Sequence, residues 1–514
     1  MKKLPIGIQS FRKLREGGNL YVDKTEHIYK LVNFGSYFFL SRPRRFGKSL
    51  TVSTIAELYS GSRELFEGLW IENRWDWSKV HPIVHISFNE IGYATSSLEQ
   101  ALHDRLDEIA AQHGLSLKAA TYDQKFRELL HSLSALKGKV VLLIDEYDKP
   151  LIDYLSSEQL PIAKAHQQIL KNFYSIIKNA DSHLELVFIT GVSKFSQVSL
   201  FSDLNNLDDL TIDENASALT GYTQEELERY FDEWLGWLQQ KFPRQSKDAL
   251  LEDIKTWYDG YTWDGETRLY NPFSILNFFK KRSFEDYWFK TGTPTFLIKK
   301  LEERGYLMPE ELTVNRALFE SYTLDNLELR SLLFQTGYLT IKSIDQYGQY
   351  RLGYPNREVE EAMYNHLVAN LLNWEPLDST RPVIQLKEAL QANKLTEAVA
   401  IINAMLKDVP SHLLADKGEH FYHALVHLLF RYLGLFIRSE EHTSDGRMDA
   451  VVHTPSRIFL FEFKIGESAE AALRQIHDKG YADKFRADGK PITLVGINFD
   501  AKKRAVDAWQ AVEG

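Results

Sequence analysis

The sequence predicts a multidomain α/β protein. Its 514 residues exceed what one hydrophobic core usually serves and suggest about three domains. In the N-terminal third, short apolar runs alternate with helical patterns, as expected for a buried parallel sheet. A helical middle follows, and two further strands flanked by helices occupy the C-terminal part. We expect domains at 1–215, 216–375 and 376–514.

The composition indicates a soluble globular protein and excludes several kinds of chemistry. Hydrophobic residues make up 44% of the chain and charged residues 26%, and no apolar run approaches the roughly 18 residues of a membrane span. The apolar stretch after Lys3 ends too early for a secretion signal, so we expect a cytoplasmic protein. Without cysteine, the chain has no disulfide, thiolate nucleophile or iron–sulfur cluster. The net charge of −10 argues against broad nonspecific binding of nucleic acid, although a local basic cleft stays open.

The N-terminal strands lead to a loop suited to phosphate. The four predicted strands are residues 37–40, 82–88, 140–144 and 184–189. The first runs into the sequence RPRRFGKS at 42–49, and a helix is predicted from about Lys48. A loop between a strand and a helix N-terminus directs main-chain N–H groups and the helix dipole at phosphate. Lys48 would contact the β- and γ-phosphates, and the Ser49 hydroxyl would bind Mg²⁺.

This loop departs from the common phosphate-loop pattern at one position. Gly47, Lys48 and Ser49 match it, but Arg42 stands where the first glycine is expected. A basic turn that only caps a helix is the alternative interpretation. The residues that we expect to contact nucleotide are Arg44, Arg45, Phe46, Gly47, Lys48, Ser49 and Leu50.

Acidic residues at the end of the third strand strengthen the nucleotide interpretation. Asp145 would hold Mg²⁺ there through a water, and Glu146 would orient or deprotonate the attacking water. Thr190, at the end of the fourth strand, would sense the γ-phosphate, or would serve only as a hydrogen-bonding residue. The alternative for the two acids is an acidic turn at a strand end.

The middle of the chain is predicted to be helical, with a winged-helix pattern. Thr223 and Glu226 have the spacing of a capping box at a helix start. The aromatic residues that follow are expected in the core rather than on a base-stacking surface. A helix at 327–338 and two strands, at 339–344 and 350–354, would form the winged-helix segment. Because that segment is not basic, we favour a structural or partner-contact role for it.

The C-terminal domain carries a second constellation. Amphipathic helices are predicted within 386–406 and a long apolar helix from 419 to 435, and strands at 446–452 and 457–465 would form a hairpin. Alternation along the second strand places Glu462 and Lys464 on one face, where Asp449 from the first strand converges on them. Two carboxylates would bind Mg²⁺ or Mn²⁺ through oxygen, and Lys464 would position the nucleophile or stabilise developing charge. A surface hairpin with a salt-bridged face is the alternative.

Segments along nearly the whole chain resemble the bacterial AAA-ATPase-like family, which pairs a nucleotide-binding core with a C-terminal PD-(D/E)XK nuclease domain. They are LPIG (4–7), YVDKT (21–25), RPRRFGKS (42–49), LIDEYD (143–148), WYDGY (257–261), YNPFS (270–274) and YPN (354–356). Arg42 is shared with that family's loop. The resemblance implies a P-loop NTPase core, a helical lid with the winged-helix-like segment, and a restriction-endonuclease-like C-terminal domain. It further implies that Glu419 adds an acid to the metal site and that Gln475 and Tyr481 lie beside it.

These observations predict an ATP-binding, ATP-hydrolysing protein with a Mg²⁺-dependent nuclease that acts on DNA, in defence against foreign DNA or in DNA processing. The expected partners are ATP and nucleic acid, DNA rather than RNA, with no membrane, and homo-oligomerisation stays open. One alternative is a nucleotide-dependent regulator whose nuclease-like domain binds DNA, RNA or protein without cutting. Another is a signalling or toxin-like NTPase directed at RNA or protein.

Overall fold

The computed structural model describes residues 1–156, 158–194, 206–291, 312–319, 324, 328–372, 380–408, 428, 450–500, 503 and 505–514. The described residues fall into two compact units, one within 1–359 and one within 360–514. Each unit is presented by itself. No helix in the described part of the chain is both long and apolar enough to cross a membrane.

A parallel sheet forms the centre of the first unit. Its strands are β1 (Tyr37–Ser41), β2 (Ile83–Ser87), β3 (Val140–Asp145), β4 (Leu184–Gly191) and β5 (Asp208–Asp209). They lie in the order β2-β3-β4-β1-β5, and each neighbouring pair is parallel. Every residue of β1 and β3 is buried, which explains their continuous apolar sequences. The four predicted strands are confirmed, whereas β5 was not predicted.

Helices pack around this sheet. They are α1 (Phe11–Glu16), α2 (Thr25–Phe34), α3 (Lys48–Tyr59), α4 (Leu98–Gln112), α5 (Tyr122–Lys137), α6 (Lys149–Ile152) and α7 (Leu160–Asn179). Val52, Ile55 and Leu58 of α3 join the buried core that contains Phe38 of β1 and Leu143 of β3. The helix that follows the phosphate loop is therefore anchored to the central strands.

A helical lid follows the sheet. Its helices are α8 (Gln224–Tyr230), α9 (Asp232–Gln239), α10 (Lys247–Tyr258) and α11 (Pro272–Lys281). The predicted capping box is present at the start of α8, where Thr223 and Glu226 exchange hydrogen bonds. At the start of α11, Asn271 accepts from two main-chain N–H groups. Tyr258 and Tyr270 are fully buried, so the prediction that the aromatic residues belong to the core is confirmed.

The winged-helix pattern is also present. Along the chain, β6 (Leu312–Val314) is followed by helix α12 (Leu329–Gln335) and then by β7 (Thr340–Ile344) and β8 (Tyr350–Gly353). In the sheet, the order is β6-β8-β7 and both pairings are antiparallel. The hairpin of β7 and β8 was predicted, and β6 adds a third strand that the sequence pattern did not reveal.

The C-terminal part contains a mixed sheet. The remaining elements are α13 (Arg357–Leu372), α14 (Thr380–Gln391), α15 (Leu395–Lys407), β9 (Ala450–His453), β10 (Ile458–Ile465), α16 (Ala469–Asp478), β11 (Ile492–Asp500) and β12 (Ala505–Glu513). Strands follow the order β12-β11-β10-β9, with β10 and β11 parallel and α16 between them in the chain. The predicted hairpin corresponds to β9 and β10. Apart from Leu428, the helix predicted for 419–435 lies outside the described residues.

Candidate nucleotide and nuclease sites

A cleft of about 320 Å³ opens where β1 ends and α3 begins. Its lining combines polar and charged side chains of the predicted nucleotide site with apolar side chains. The lining residues are Pro5, Gly7, Ile8, Gln9, Arg44, Arg45, Gly47, Lys48, Ser49, Leu50, Asn89, Glu146, Lys149, Tyr222, Pro272, Phe273 and Leu276. Six of the seven loop residues predicted to contact nucleotide therefore line one cavity.

The backbone of the loop explains why glycine is required at position 47. Gly47 caps α3 with φ of 95°, a left-handed conformation that glycine adopts without strain. A Cβ atom there would meet no atom within 4 Å, so the requirement is conformational rather than spatial. Arg45 also has a positive φ, 68°, although it is not glycine. Two left-handed residues thus bend the chain so that the N-terminus of α3 faces the cleft.

Lys48 is already engaged within the loop. Its Nζ donates to the carbonyl oxygens of Arg42 at 2.8 Å and Pro43 at 3.0 Å, and the residue is only 5% exposed. Burial lowers the pKa of Lys48, while the carboxylates of Glu146 and Asp145 act in the opposite direction. The ammonium group is therefore bonded to the loop and is under the electrostatic influence of the two acids at the end of β3.

Arg42 faces away from the cleft. Its guanidinium donates to the carbonyl oxygens of Ser41, Thr211 and Ala216, and it lies 4.2 Å from the centre of the Trp263 ring. The side chain is fully buried, and burial lowers the pKa of Arg42 to about 9. The arginine at the position of the usual first glycine therefore ties the loop to the protein interior.

Phe46 differs from the expectation that it contacts nucleotide. Its side chain is 1% exposed, does not line the cleft, and packs edge-on against Tyr261 and Trp263 of the lid. Its carbonyl oxygen accepts from Gly221, and the Trp288 indole donates to the carbonyl oxygen of Arg44 at 3.0 Å. The lid and the segments next to it in the chain therefore contact the phosphate loop at Phe46 and Arg44.

The acids at the end of β3 occupy different positions. Glu146 lines the cleft, and its φ of 56° is left-handed. Burial raises the pKa of Glu146, and Lys48 opposes that shift. Asp145 is 3% exposed and accepts a 2.5 Å hydrogen bond from the Thr190 hydroxyl. Neither Asp145 nor Thr190 lines the cleft; they pair with each other at the ends of β3 and β4.

The apolar residues that line the cleft were not predicted. Pro5 and Ile8 come from the N-terminal segment, Tyr222 from the chain before α8, and Phe273 and Leu276 from α11. An apolar, partly aromatic wall suits one face of a flat heterocycle. The segments 4–7 and 270–274, singled out only by resemblance, were the available signal for this wall.

In the C-terminal unit, three predicted residues come together. Glu462 and Lys464 lie on the face of β10 that α16 covers, and Gln475 projects from α16. The Gln475 amide donates to Glu462 and accepts from the Lys464 ammonium at 2.6 Å. Glu462 is 2% exposed. Gln475 therefore fixes the carboxylate and the ammonium relative to each other.

Gly496 permits this arrangement. It pairs with Glu462 across the β10–β11 ladder, and a Cβ atom at this position would lie 2.3 Å from the carbonyl oxygen of Ala469 in α16. The helix therefore contacts the backbone of β11 directly, which brings Gln475 within reach of β10. Tyr481, also named from the sequence, is 2% exposed and belongs to the core beneath α16.

The structure describes one of the three metal ligands predicted for the C-terminal site, Glu462. Asp449 and Glu419 lie outside the described residues, and among the described ones no group of three or more His, Cys, Asp or Glu side chains could hold a metal ion. At this C-terminal site, the described residues supply the buried carboxylate of Glu462 beside the ammonium group of Lys464. Hard oxygen donors of this kind fit Mg²⁺ or Mn²⁺.

Comparisons with known proteins match two separate parts of the chain to two protein families. Residues 5–201 match the family described as predicted AAA-ATPase, and residues 417–509 match the PD-(D/E)XK nuclease superfamily. An uncharacterized protein in the vnfD 5′ region of Azotobacter chroococcum mcd 1 is 41% identical over 522 residues, which cover 98% of each chain.

A solved structure, the Aeropyrum pernix ORC1 protein in complex with DNA, matches 68% of this chain and 94% of its own at 11% identity and a TM-score of 0.24. The two family matches and the Azotobacter relative show the family to which the chain belongs. The chain belongs to the family of AAA-ATPase-like proteins with a C-terminal PD-(D/E)XK nuclease superfamily domain.

Proposed function

We propose that this protein binds and hydrolyses ATP and uses the nucleotide to control a metal-dependent nuclease that cuts DNA. The observation that carries the proposal is a cleft that is lined both by Lys48, Ser49 and Glu146 and by apolar side chains. Such a cleft suits a triphosphate joined to a flat base. The Glu462–Gln475–Lys464 group supplies the second half of the proposal.

In the nucleotide cleft, each of the predicted side chains would have a separate role. Lys48 would exchange its hydrogen bonds with the Arg42 and Pro43 carbonyls for bonds to phosphate oxygens. Water attacks the γ-phosphorus, the bond to the bridging oxygen breaks, and ADP and inorganic phosphate leave; Glu146 orients that water and receives its proton. Ser49, which lines the cleft, would hold Mg²⁺ directly, and Asp145, which does not, would hold it through a water; the ion when bound would neutralise phosphate charge.

At the C-terminal site, Glu462 would hold the divalent cation together with Asp449 and Glu419. A bound cation there would polarise the scissile phosphodiester and lower the pKa of a bound water. Lys464 would stabilise the negative charge that develops on phosphate oxygen. Gln475 keeps Lys464 and Glu462 in register by bonding to both.

The proposal is tested with purified full-length protein, plasmid and linear single-stranded DNA, in Mg²⁺ or Mn²⁺. Lys48→Ala should abolish ATP binding or turnover, and Lys464→Ala should abolish cleavage and leave ATP binding intact. Lys13→Ala and Lys479→Ala, which replace exposed lysines of the same two units, are the matched controls. Cleavage by Lys464→Ala at the wild-type rate would refute the nuclease assignment, and normal ATP hydrolysis by Lys48→Ala would refute the phosphate-loop assignment. ATP-dependent DNA binding without cleavage in either metal would instead favour a regulatory protein.

A further inference from the structure

Asp148, two residues beyond Glu146, is a buried carboxylate with a full set of donors. It accepts from the main-chain N–H of Val192 at 3.1 Å, from the N–H of Ser193 at 2.7 Å and from the Ser193 hydroxyl at 2.6 Å. Its exposed fraction is 1%. Burial raises the pKa of Asp148, and the donors on Ser193 and Val192 oppose that shift. The carboxylate therefore joins the turn after β3 to the chain that leaves β4.

Tyr147 joins the same two segments a second time. Its hydroxyl donates to the carbonyl oxygen of Ser193 at 2.9 Å, and its N–H donates to the carbonyl oxygen of Thr190 at 3.0 Å. A Cβ atom at Gly191 would lie 2.5 Å from the Tyr147 ring and 2.8 Å from an Asp148 carboxylate oxygen. The two segments are thus in direct contact, with no space for a side chain between them.

Glu146 lies between two fixed neighbours. Asp145, before it, is bound to Thr190, and Tyr147 and Asp148, after it, are bound to the end of β4. Glu146 itself has φ of 56°, a left-handed conformation that residues other than glycine adopt rarely and keep only where the surrounding structure imposes it. In this conformation, Glu146 lines the cleft.

We propose that Asp148 is a positioning residue for ATP turnover, because it anchors the turn that keeps Glu146 left-handed and directed into the cleft. The inference rests on the proposed ATPase function and deepens it. Asp148 does not line the cleft, so it acts through Glu146 rather than on the nucleotide. A residue of this kind affects the chemical step and leaves nucleotide binding largely unchanged.

The first test compares ATP affinity, measured by calorimetry, with steady-state hydrolysis. Asp148→Asn keeps the size of the side chain but removes its charge and places an amide against N–H donors. We expect kcat to fall by about tenfold or more while Kd and KM stay within about threefold of wild type. Ser193→Ala, which removes one of three donors, should give a smaller loss of kcat. Asp181→Asn is the control, because Asp181 accepts from Tyr37 at the opposite end of the strands.

A double mutant separates positioning from an independent role. If Asp148 acts through Glu146, adding Asp148→Asn to Glu146→Gln should cause almost no further loss of kcat. Losses that multiply would overturn the proposal, as would a parallel loss of affinity and kcat in Asp148→Asn.

Amide hydrogen exchange tests the anchor without relying on turnover. Asp148→Asn should raise the exchange rates of the Val192 and Ser193 amides by about tenfold, since each loses a carboxylate acceptor. Unchanged exchange at both amides would overturn the proposal. If the wild-type protein hydrolysed no nucleotide, the ATPase function would fail by itself, and the exchange rates would still decide whether Asp148 anchors the turn.

Discussion

Glu358 gives the most quantitative prediction, because a carboxyl group is buried there without a cation bonded to it in the described structure. It is fully buried near the start of α13, accepts from the Ser274 hydroxyl at 2.7 Å, and accepts from the main-chain N–H of Trp288 at 2.6 Å. Burial raises the pKa of Glu358 to about 8 from an ordinary value of 4.5. The folded protein therefore holds a proton on this residue at neutral pH.

The sign of the pH dependence follows directly. Because the pKa of Glu358 is higher in the folded state, the folded state binds more protons between pH 4.5 and 8, and stability falls as the pH rises through that window. One pKa unit is worth about 1.4 kcal/mol, so the full effect is about 5 kcal/mol, of which about half develops between pH 5 and 7. Glu358→Gln, which is isosteric and does not titrate, should lack this contribution.

The assay is urea unfolding of wild type and Glu358→Gln from pH 5 to pH 8, followed by tryptophan fluorescence. Eight of the ten tryptophans precede residue 360, so the signal reports mainly on the unit that contains Glu358. The variant should gain about 2 to 3 kcal/mol on wild type between pH 5 and 7. Parallel pH profiles for the two proteins, or a wild type that gains stability relative to the variant as the pH rises, would show that the pKa of Glu358 is not raised by folding.

Two further predictions concern packing. Phe46→Ala should destabilise the first unit by about 3 to 5 kcal/mol and weaken ATP binding, because it removes a buried aromatic side chain beside the phosphate loop. The control is Phe34→Ala, at a side chain 89% exposed, which should change stability by less than about 0.5 kcal/mol. Urea midpoints and ATP titrations measure both, and equal effects of the two variants would contradict the packing assigned to Phe46. Gly496→Ala should displace α16 and abolish cleavage while ATP turnover persists, because its Cβ would lie 2.3 Å from the Ala469 carbonyl oxygen. Gly236→Ala, in an open position of α9, should leave cleavage unchanged, and wild-type cleavage by Gly496→Ala would show that α16 need not contact β11.

The sequence was sufficient for features that depend on local patterns. The four main strands were predictable because buried parallel strands are continuous apolar runs, and the capping box because it depends on two residues three positions apart. Alternation along β10 also placed Glu462 and Lys464 on one face. The short strands β5 and β6 were missed because two or three residues show no periodicity.

Contacts between distant segments could not be predicted in the same way. Phe46 meets Tyr261 and Trp263 more than 200 residues later, and no local pattern distinguishes a loop phenylalanine that enters the lid from one that faces nucleotide. The same applies to Arg42, whose charge suggests phosphate but whose partners are carbonyl oxygens in the interior. The metal-binding roles assigned to Asp449 and Glu419 stay predictions.

We propose that nucleotide bound at Lys48 controls cleavage at Lys464. The most direct measurement is the initial rate of supercoiled-plasmid cleavage in Mg²⁺, with no nucleotide, ATP or a nonhydrolysable ATP analogue, for wild type and Lys48→Ala. We expect ATP to change the wild-type rate by about tenfold or more. Lys48→Ala should be insensitive to nucleotide, and Lys464→Ala should be inactive throughout. A wild-type cleavage rate that is the same with and without ATP would contradict the proposal.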